Sequence, residues 1–285
     1  MNNIERLCVI TDEISQDFEH ALDVITEYGI KSVDLRKIWK KNIALFTDAE
    51  LEQLKEALNK RNMKVIVITG PTGKCLLPDA KFTTKKKSLM RNPEYNLSLF
   101  DRIIEISDFF NTPYIRIFSF LRIGYKSSEK RWEKMMGIIR TLVNKAEEFN
   151  KVLLLENDLG MNIATIDQTK RFFEEINSDA IKLVLDPGNY FMERDRTDPE
   201  AYEYFYRENL VGHIHVKDPK RKLPLLGALF GVVGEGKIDY RALFKQALDY
   251  EYSGYFSLET HSLRNKEKVS RASLKNLVNW LKELD

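Results

Sequence analysis

Short apolar runs alternate with longer stretches of helical spacing from one end of the chain to the other. Eight runs predict strands: "LCVIT" (7–11), "KSVDLR" (31–36), "KVIVIT" (64–69), "YIRIFSF" (114–120), "KVLLLE" (151–156), "IKLVLD" (181–186), "VGHIHV" (211–216) and "GYFSLE" (254–259). Several are nearly unbroken in Val, Ile and Leu, the pattern of strands covered on both faces rather than on one. The segments between them carry helix stripes and helix starts. Phe18, Ala21, Leu22 and Ile25 share one face of a helix over residues 15–28. Thr47 and Glu50 stand in capping-box register before Leu51, Leu54 and Leu58. Asn92-Pro93 and Asp198-Pro199 read as N-caps followed by proline in the first turn. Ser128 precedes a stripe of Trp132, Met136, Ile139 and Val143, and a last helix over about 265–283 carries Val269, Leu277 and Leu281.

Eight strand–helix units in 285 residues fit two architectures. An open doubly wound sheet carries a glycine-rich turn after its first strand, and "CVITDEIS" has no glycine. The expectation is therefore an α/β protein with a single (β/α)₈ TIM-barrel domain over residues 1–285, because such barrels run to about 250 residues. No linker or composition shift divides the chain. The one long irregular segment, residues 70–93, is basic, and reads either as a solvated loop or as a flap over the barrel mouth.

Composition adds exclusions. With 45 basic against 43 acidic residues, the chain has no overall field for nucleic acid or anionic membrane. Its two cysteines, Cys8 and Cys75, lack metal-ligand spacing and suit a reducing compartment. The N-terminal residues have no basic-then-apolar leader, and no apolar run approaches the ~20 residues of a membrane span. A cytoplasmic protein with a small-molecule partner is expected, with no nucleic acid and no membrane.

Active sites of closed barrels lie at the C-terminal ends of the strands. Polar residues at those ends are Glu156 on the fifth strand, Asp186 on the sixth, His215 on the seventh and Glu259 on the eighth, spaced by 30, 29 and 44 residues. Singly, each has a structural alternative: an ion pair for either glutamate, a turn cap for Asp186. Four such groups converging on one mouth are costly to bury without a shared cation. Three carboxylates and one imidazole suit one divalent metal ion, Mn²⁺ or Mg²⁺, with Co²⁺ or Zn²⁺ as alternatives. His213, one pleat deeper, is expected to be a hydrogen-bonded core histidine. Arg36 and Arg116 near other strand ends read as ion pairs or anion contacts. Lys217 reads as a substrate contact or as a surface partner of Asp218, while Glu13 and His261 lie near the mouth with no assigned role.

The segments "TDEISQDFEHAL…YGIKSVDLR", "LLLEN", "LDPGN", "HIHVKD" and "GEGKIDY…GYFSLE" span the chain from Thr11 to Glu259. They resemble the recurring blocks of the xylose isomerase-like TIM-barrel superfamily, the sugar (phosphate) isomerases and epimerases, which also contains endonuclease IV. The resemblance implies metal ligands at Glu156, Asp186, His215 and Glu259, and a paired acid/base role for Glu156 and Glu259. It also implies a substrate contact at Arg221, six residues after the histidine, and is compatible with a homo-oligomer. Ketose 3-epimerases of that family carry a histidine three residues after the metal-binding aspartate; here that residue is Asn189. The implied reaction is isomerisation or epimerisation of a sugar or sugar phosphate through an enediolate, with Lys217 and Arg221 holding substrate oxygens. The alternative is dehydration of a keto-polyol, as by an inosose dehydratase. An endonuclease reading fits poorly, since the four histidines (His20, His213, His215 and His261) cannot build that enzyme's histidine-rich zinc cluster.

Overall fold

The computed structural model describes residues 3–124, 128–223, 227–262 and 264–284. Eight parallel strands close into one barrel: β1 (Leu7–Ile10), β2 (Ser32–Leu35), β3 (Lys64–Ile68), β4 (Tyr114–Ile117), β5 (Val152–Glu156), β6 (Ile181–Leu185), β7 (Val211–Val216) and β8 (Phe256–Leu258). Each strand pairs with its neighbour in sequence, and β1 pairs with β8 in the register Leu7↔Phe256, Cys8↔Ser257, Val9↔Leu258. All eight lie where the apolar runs predict them. Full closure leaves no barrel edge, so every barrel strand is laddered on both sides.

Helices cover the outside. The Thr47–Glu50 capping box forms at the start of helix Asp48–Asn59, and Asn92 caps helix Pro93–Ser98 through Tyr95 N. Ser128 and Asp198 occupy N-cap positions without a side-chain cap bond. The apolar stripes pack between sheet and helices as one large core, including Phe18, Leu22, Leu54, Ile103, Met136, Ile139, Phe172, Phe244 and Leu277. A second, small core of Cys8, Ile66, Val67, Leu154 and Val184 is separate from it. The barrel interior is identified by a contact between strands that are not neighbours. His213 Nε2 on β7 lies 2.9 Å from Asp34 Oδ2 on β2, a bond that has to cross the inside. Alternation along strands then aims His213, His215 and Lys217 inward together, as it does Ser257 and Glu259.

Elements outside the simple strand–helix count decorate the mouth. A two-stranded hairpin, Lys37–Ile38 with Lys41–Asn42, follows β2 and turns through Trp39 and Lys40, both at positive φ. A second hairpin, Asp218–Leu223 with Gly227–Gly231, follows β7. Its root is fixed by Asp218, whose carboxylate accepts the backbone N–H groups of Gly234, Gly236, Lys237 and Ile238. Asp218 is therefore bound to backbone, and the expectation that it pairs with Lys217 at the surface is not met. The sixth helical layer is broken into Pro187–Met192, a 3₁₀ turn Pro199–Tyr202, and Glu203–Arg207. Among the described residues, no helix is long and apolar enough to cross a membrane.

Candidate metal centre and its cavity

Glu156 closes β5, and Asp186 follows β6 directly. The Asp186 carboxylate divides its labour: Oδ1 accepts Asn189 N at 3.0 Å, capping helix Pro187–Met192, while Oδ2 turns to the centre of the mouth. Both alternatives read for this residue, cap and ligand, are thus available to its two oxygens. His215 comes from β7, and Glu259 directly follows β8. From His215 Nδ1 the distances are 3.4 Å to Glu156 Oε1, 3.7 Å to Asp186 Oδ2 and 3.4 Å to Glu259 Oε2. All four residues are buried, and one ligand atom from each lies within 4.8 Å of the others. Two ligands at about 2.1 Å from one ion sit at most ~4.2 Å apart, so the set needs little movement to share a cation. The hydrogen bonding points the same way. Neither ring nitrogen of His215 has a hydrogen-bond partner among the described residues, although both are buried. Buried groups left in this condition are expensive, and a cation would satisfy them. The donor set fits a divalent ion.

Cations hold the outer oxygens of the glutamates, and Asn189 steadies the inward oxygen of Glu156. Arg116 Nη1 donates to Glu156 Oε2 at 2.9 Å, and Asn189 Nδ2 donates to Glu156 Oε1 at 3.3 Å. Glu259 Oε1 accepts from Arg36 and lies 3.0 Å from His261 Nε2. Arg36 also binds Asp12 and Glu13, and Glu13 accepts from Thr260 Oγ1 and His261 N. The Lys217 ammonium is wholly internal, 2.7 Å from Asp186 Oδ2 and 2.9 Å from Glu259 Oε2. Room for its stem comes from Gly188, where a Cβ would stand 2.6 Å from Lys217 Cγ. Tyr240 fixes the Lys217 backbone from both sides, accepting its N–H and donating to its carbonyl.

These neighbours set the protonation states. Burial pushes the Glu156 carboxyl up, but the charges of Arg116 and His215 outweigh it and leave Glu156 below the usual range. Glu259 is likewise lowered well below its ordinary value: burial opposes, and His261, Lys217 and His215 prevail. For His215, burial favours the neutral ring, yet Glu156 and Glu259 raise its pKa well above the ordinary value. Without a metal the imidazolium supplies positive charge to the carboxylates. A metal would have to displace that proton.

A cavity of about 240 Å³ opens on this group, lined by Arg36, Lys37, Lys74, Arg116, Glu156 and Glu259 among others. Asp186, His215 and Lys217, buried against Glu156 and Glu259, do not line it. The 70–93 segment is divided in its use: Gly70, Pro71, Lys74, Leu89 and Met90 line the cavity, whereas Lys85, Lys86 and Lys87 face solvent. Arg221 lies on the second hairpin, exposed, paired in register with Leu229. The hairpin reaches the mouth through Phe230, whose ring meets His261 edge-on at 5.6 Å. A larger cavity of about 410 Å³, beside Lys64, Tyr114 and Tyr255 at the N-terminal ends of the strands, contains none of these groups.

His213 sits one pleat below, as expected of a core histidine, bonded to Asp34. What the strand-end reading misses is Asp34 and Asp12; Arg36 forms the ion pairs read for it, and Glu13 and His261, placed near the mouth without a role, prove to be its neighbours around Glu259. The available signal was alternation: Asp34 and Arg36 in "SVDLR" share a face with each other.

The comparisons agree with this architecture. Inosose dehydratase of Clostridium perfringens (strain 13 / Type A) is 21% identical over 256 residues, 85% of this chain and 82% of that protein. Among solved structures, the IolI protein with a bound zinc atom superposes with a TM-score of 0.76 at 16% identity, covering 98% of both chains. The 3-keto-D-glucoside 4-epimerase YcjR from E. coli superposes with a TM-score of 0.72 at 18% identity, covering 98% of this chain and 99% of that one. At these identities the superpositions speak for the fold. The family model matches residues 22–284, and on that match the chain belongs to the xylose isomerase-like TIM-barrel family.

Proposed function

We propose that the chain is a divalent-metal-dependent enzyme that moves a proton beside the carbonyl of a sugar or sugar phosphate, as an isomerase or epimerase. One observation carries the reading: of the four convergent ligand residues, the two that face the cavity are the two glutamates, on strands three apart. Glu156, Asp186, His215 and Glu259 would hold the ion, Mn²⁺ or Mg²⁺ by their oxygen-rich set, with Co²⁺ or Zn²⁺ as alternatives. When bound, such an ion polarises a carbonyl and makes the adjacent C–H more acidic.

The rest is the work of the protein's own groups. One glutamate takes the proton, and the other, after taking one from solvent, returns it on the opposite face or at the neighbouring carbon. Arg116 fixes the outer oxygen of Glu156, and Arg36 with His261 fixes that of Glu259, so neither carboxylate can rotate away. Lys217 holds Asp186 and Glu259 together, and its ammonium is the proposed inner contact for a substrate oxygen. Arg221, on the hairpin that meets His261, is the proposed outer one.

Dehydration of a keto-polyol begins with the same proton removal and then expels hydroxide. The name of the curated Clostridium relative favours this second reading. A panel of a ketose, a ketose phosphate and a keto-inositol, incubated with Mn²⁺ in D₂O and followed by NMR, separates the two. Deuterium at a carbon beside the carbonyl with no loss of water supports the isomerase or epimerase; loss of water supports the dehydratase. Exchange in none of the three overturns both. A small-molecule substrate in the cytoplasm is proposed in either case, and no incision of an abasic-site duplex is expected.

A further inference from the structure

The charges around the cavity are arranged in two tiers. In the buried tier, Arg36 is committed to Asp12, Glu13 and Glu259, Arg116 to Glu156, and Lys217 to Asp186 and Glu259. The outer tier belongs to segments beyond the strand ends. Lys37 comes from the first hairpin and Lys74 from the loop after β3, and both line the cavity. Lys74 lies 2.8 Å from Asp158 Oδ2, but 45% of its side chain remains exposed. Lys37 is exposed and has no ion-pair partner among the described residues.

The lining of the cavity carries a small positive excess. Four cations (Arg36, Lys37, Lys74 and Arg116) line it against three carboxylates (Glu156, Asp158 and Glu259). A divalent ion on the four ligand residues would add to that excess. In a small cavity with low-dielectric walls, charge of one sign selects a ligand of the other. A neutral polyol would offset none of it, and an enediolate would offset one charge only while it lasts.

We infer that the substrate carries a permanent anionic group, a carboxylate or a phosphate, received by Lys37 and Lys74 at the outer end of the cavity while its carbonyl faces Glu156 and Glu259. The cavity of about 240 Å³ has room for one sugar-sized molecule. The exposed Lys81, Lys85, Lys86 and Lys87 on the same loop extend the positive field outward, which suits capture of an anion from solution. The inference rests on the proposed carbonyl chemistry only for the direction in which the substrate points.

The test is isothermal titration of the Mn²⁺-loaded full chain with D-fructose, D-fructuronate and D-fructose 6-phosphate, which share a ketose and differ in charge. At least one charged member should bind about tenfold or more tightly than fructose, since each exposed charge pair is worth up to roughly fivefold. The two charged arms tell a carboxylate from a phosphate. In the double variant Lys37→Ala/Lys74→Ala the preference should vanish, with Mn²⁺ stoichiometry retained; a Lys37→Gln/Lys74→Gln pair replaces it if the alanines lower Tm. Anions that merely ligate the metal would keep their preference in the variant, and that result overturns the inference. So does equal binding of all three sugars, or a Kd above about 10 mM for every one. Deuterium exchange in the same samples reports separately on the carbonyl chemistry: preference without exchange retains the anion site and rejects the reaction, and exchange without preference does the reverse.

Discussion

The barrel holds two polar clusters one pleat apart, each built on a β7 histidine facing carboxylate. In the lower one, Asp34 accepts from Ser257 Oγ at 2.6 Å, Cys8 Sγ at 3.2 Å and Val67 N at 3.1 Å, and pairs with His213 at 2.9 Å. In the upper one, neither nitrogen of the buried His215 has a hydrogen bond among the described residues, and the oxygens of Glu156, Asp186 and Glu259 stand 3.4, 3.7 and 3.4 Å from its Nδ1. His213 and His215 are on the same face of the same strand, with rings 5.5 Å apart. Both set a histidine against carboxylate; saturation of the imidazole is what sets them apart. A cluster with its bonds complete specifies packing, and one with converging open valences is prepared for something else.

Four substitutions would break or sharpen that contrast. The largest effect is expected from Glu156→Gln and Glu259→Gln, each lowering turnover by about 10³-fold or more while far-UV circular dichroism and Tm stay near wild type. Full activity in either would move the chemistry out of the upper cluster. Next, Asp34→Ala should cost about 3–5 kcal/mol in urea unfolding, because it strips a buried, fully bonded carboxylate from its partners. Burial raises the Asp34 pKa, but His213 and Ser257 lower it further, so its stabilisation is present above the unfolded pKa of about 4 and fades as pH falls through the depressed folded value. An Asp34→Ala variant with unchanged stability would deny the lower cluster its structural role.

The smallest effect on the fold is expected from His215→Ala, which should weaken Mn²⁺ binding at least about tenfold while shifting metal-free stability less than Asp34→Ala does. The His215 pKa is raised in the folded chain, so the stabilisation from its proton is complete below about pH 6.5 and is lost as pH rises through the folded value. Metal needs the neutral ring. Wild-type Mn²⁺ affinity should therefore climb with pH, by up to tenfold per unit, until pH passes the raised folded value of His215, in calorimetric titrations, and His215→Ala should flatten that slope. Equal slopes in the two proteins would remove His215 from the ligand set.

The strands were legible because a strand covered on both faces leaves an unbroken apolar run, and "KVLLLE" or "IKLVLD" admits few other readings. The convergence of Glu156, Asp186, His215 and Glu259 followed from their strand-end positions alone. The hairpin at 37–42 was hidden because its turn uses Trp39 and Lys40 at positive φ, where a sequence reader looks for Gly or Asn. The hairpin after β7 lies in a run of Lys, Arg and Pro with no alternating pattern. Lys217 illustrates a further limit. Alternation places it inward with His215, but its choice of Asp186 and Glu259 over adjacent Asp218 depends on partners delivered by other strands. The same holds for Arg36, whose contact with Glu259 spans 223 positions.

That span has a kinetic side. The β1–β8 seam, the Arg36–Glu259 pair and the Glu13–Thr260 bond all join the first forty residues to the last thirty. Loop-closure entropy grows slowly with length, about 0.6 kcal/mol per doubling, so the seam is affordable once formed but has the longest search. A chain emerging from the ribosome can build the units carrying Glu156, Asp186 and His215 before the final strand exists. Glu259 receives its arginine only when the ends meet, so the site matures as the ring closes.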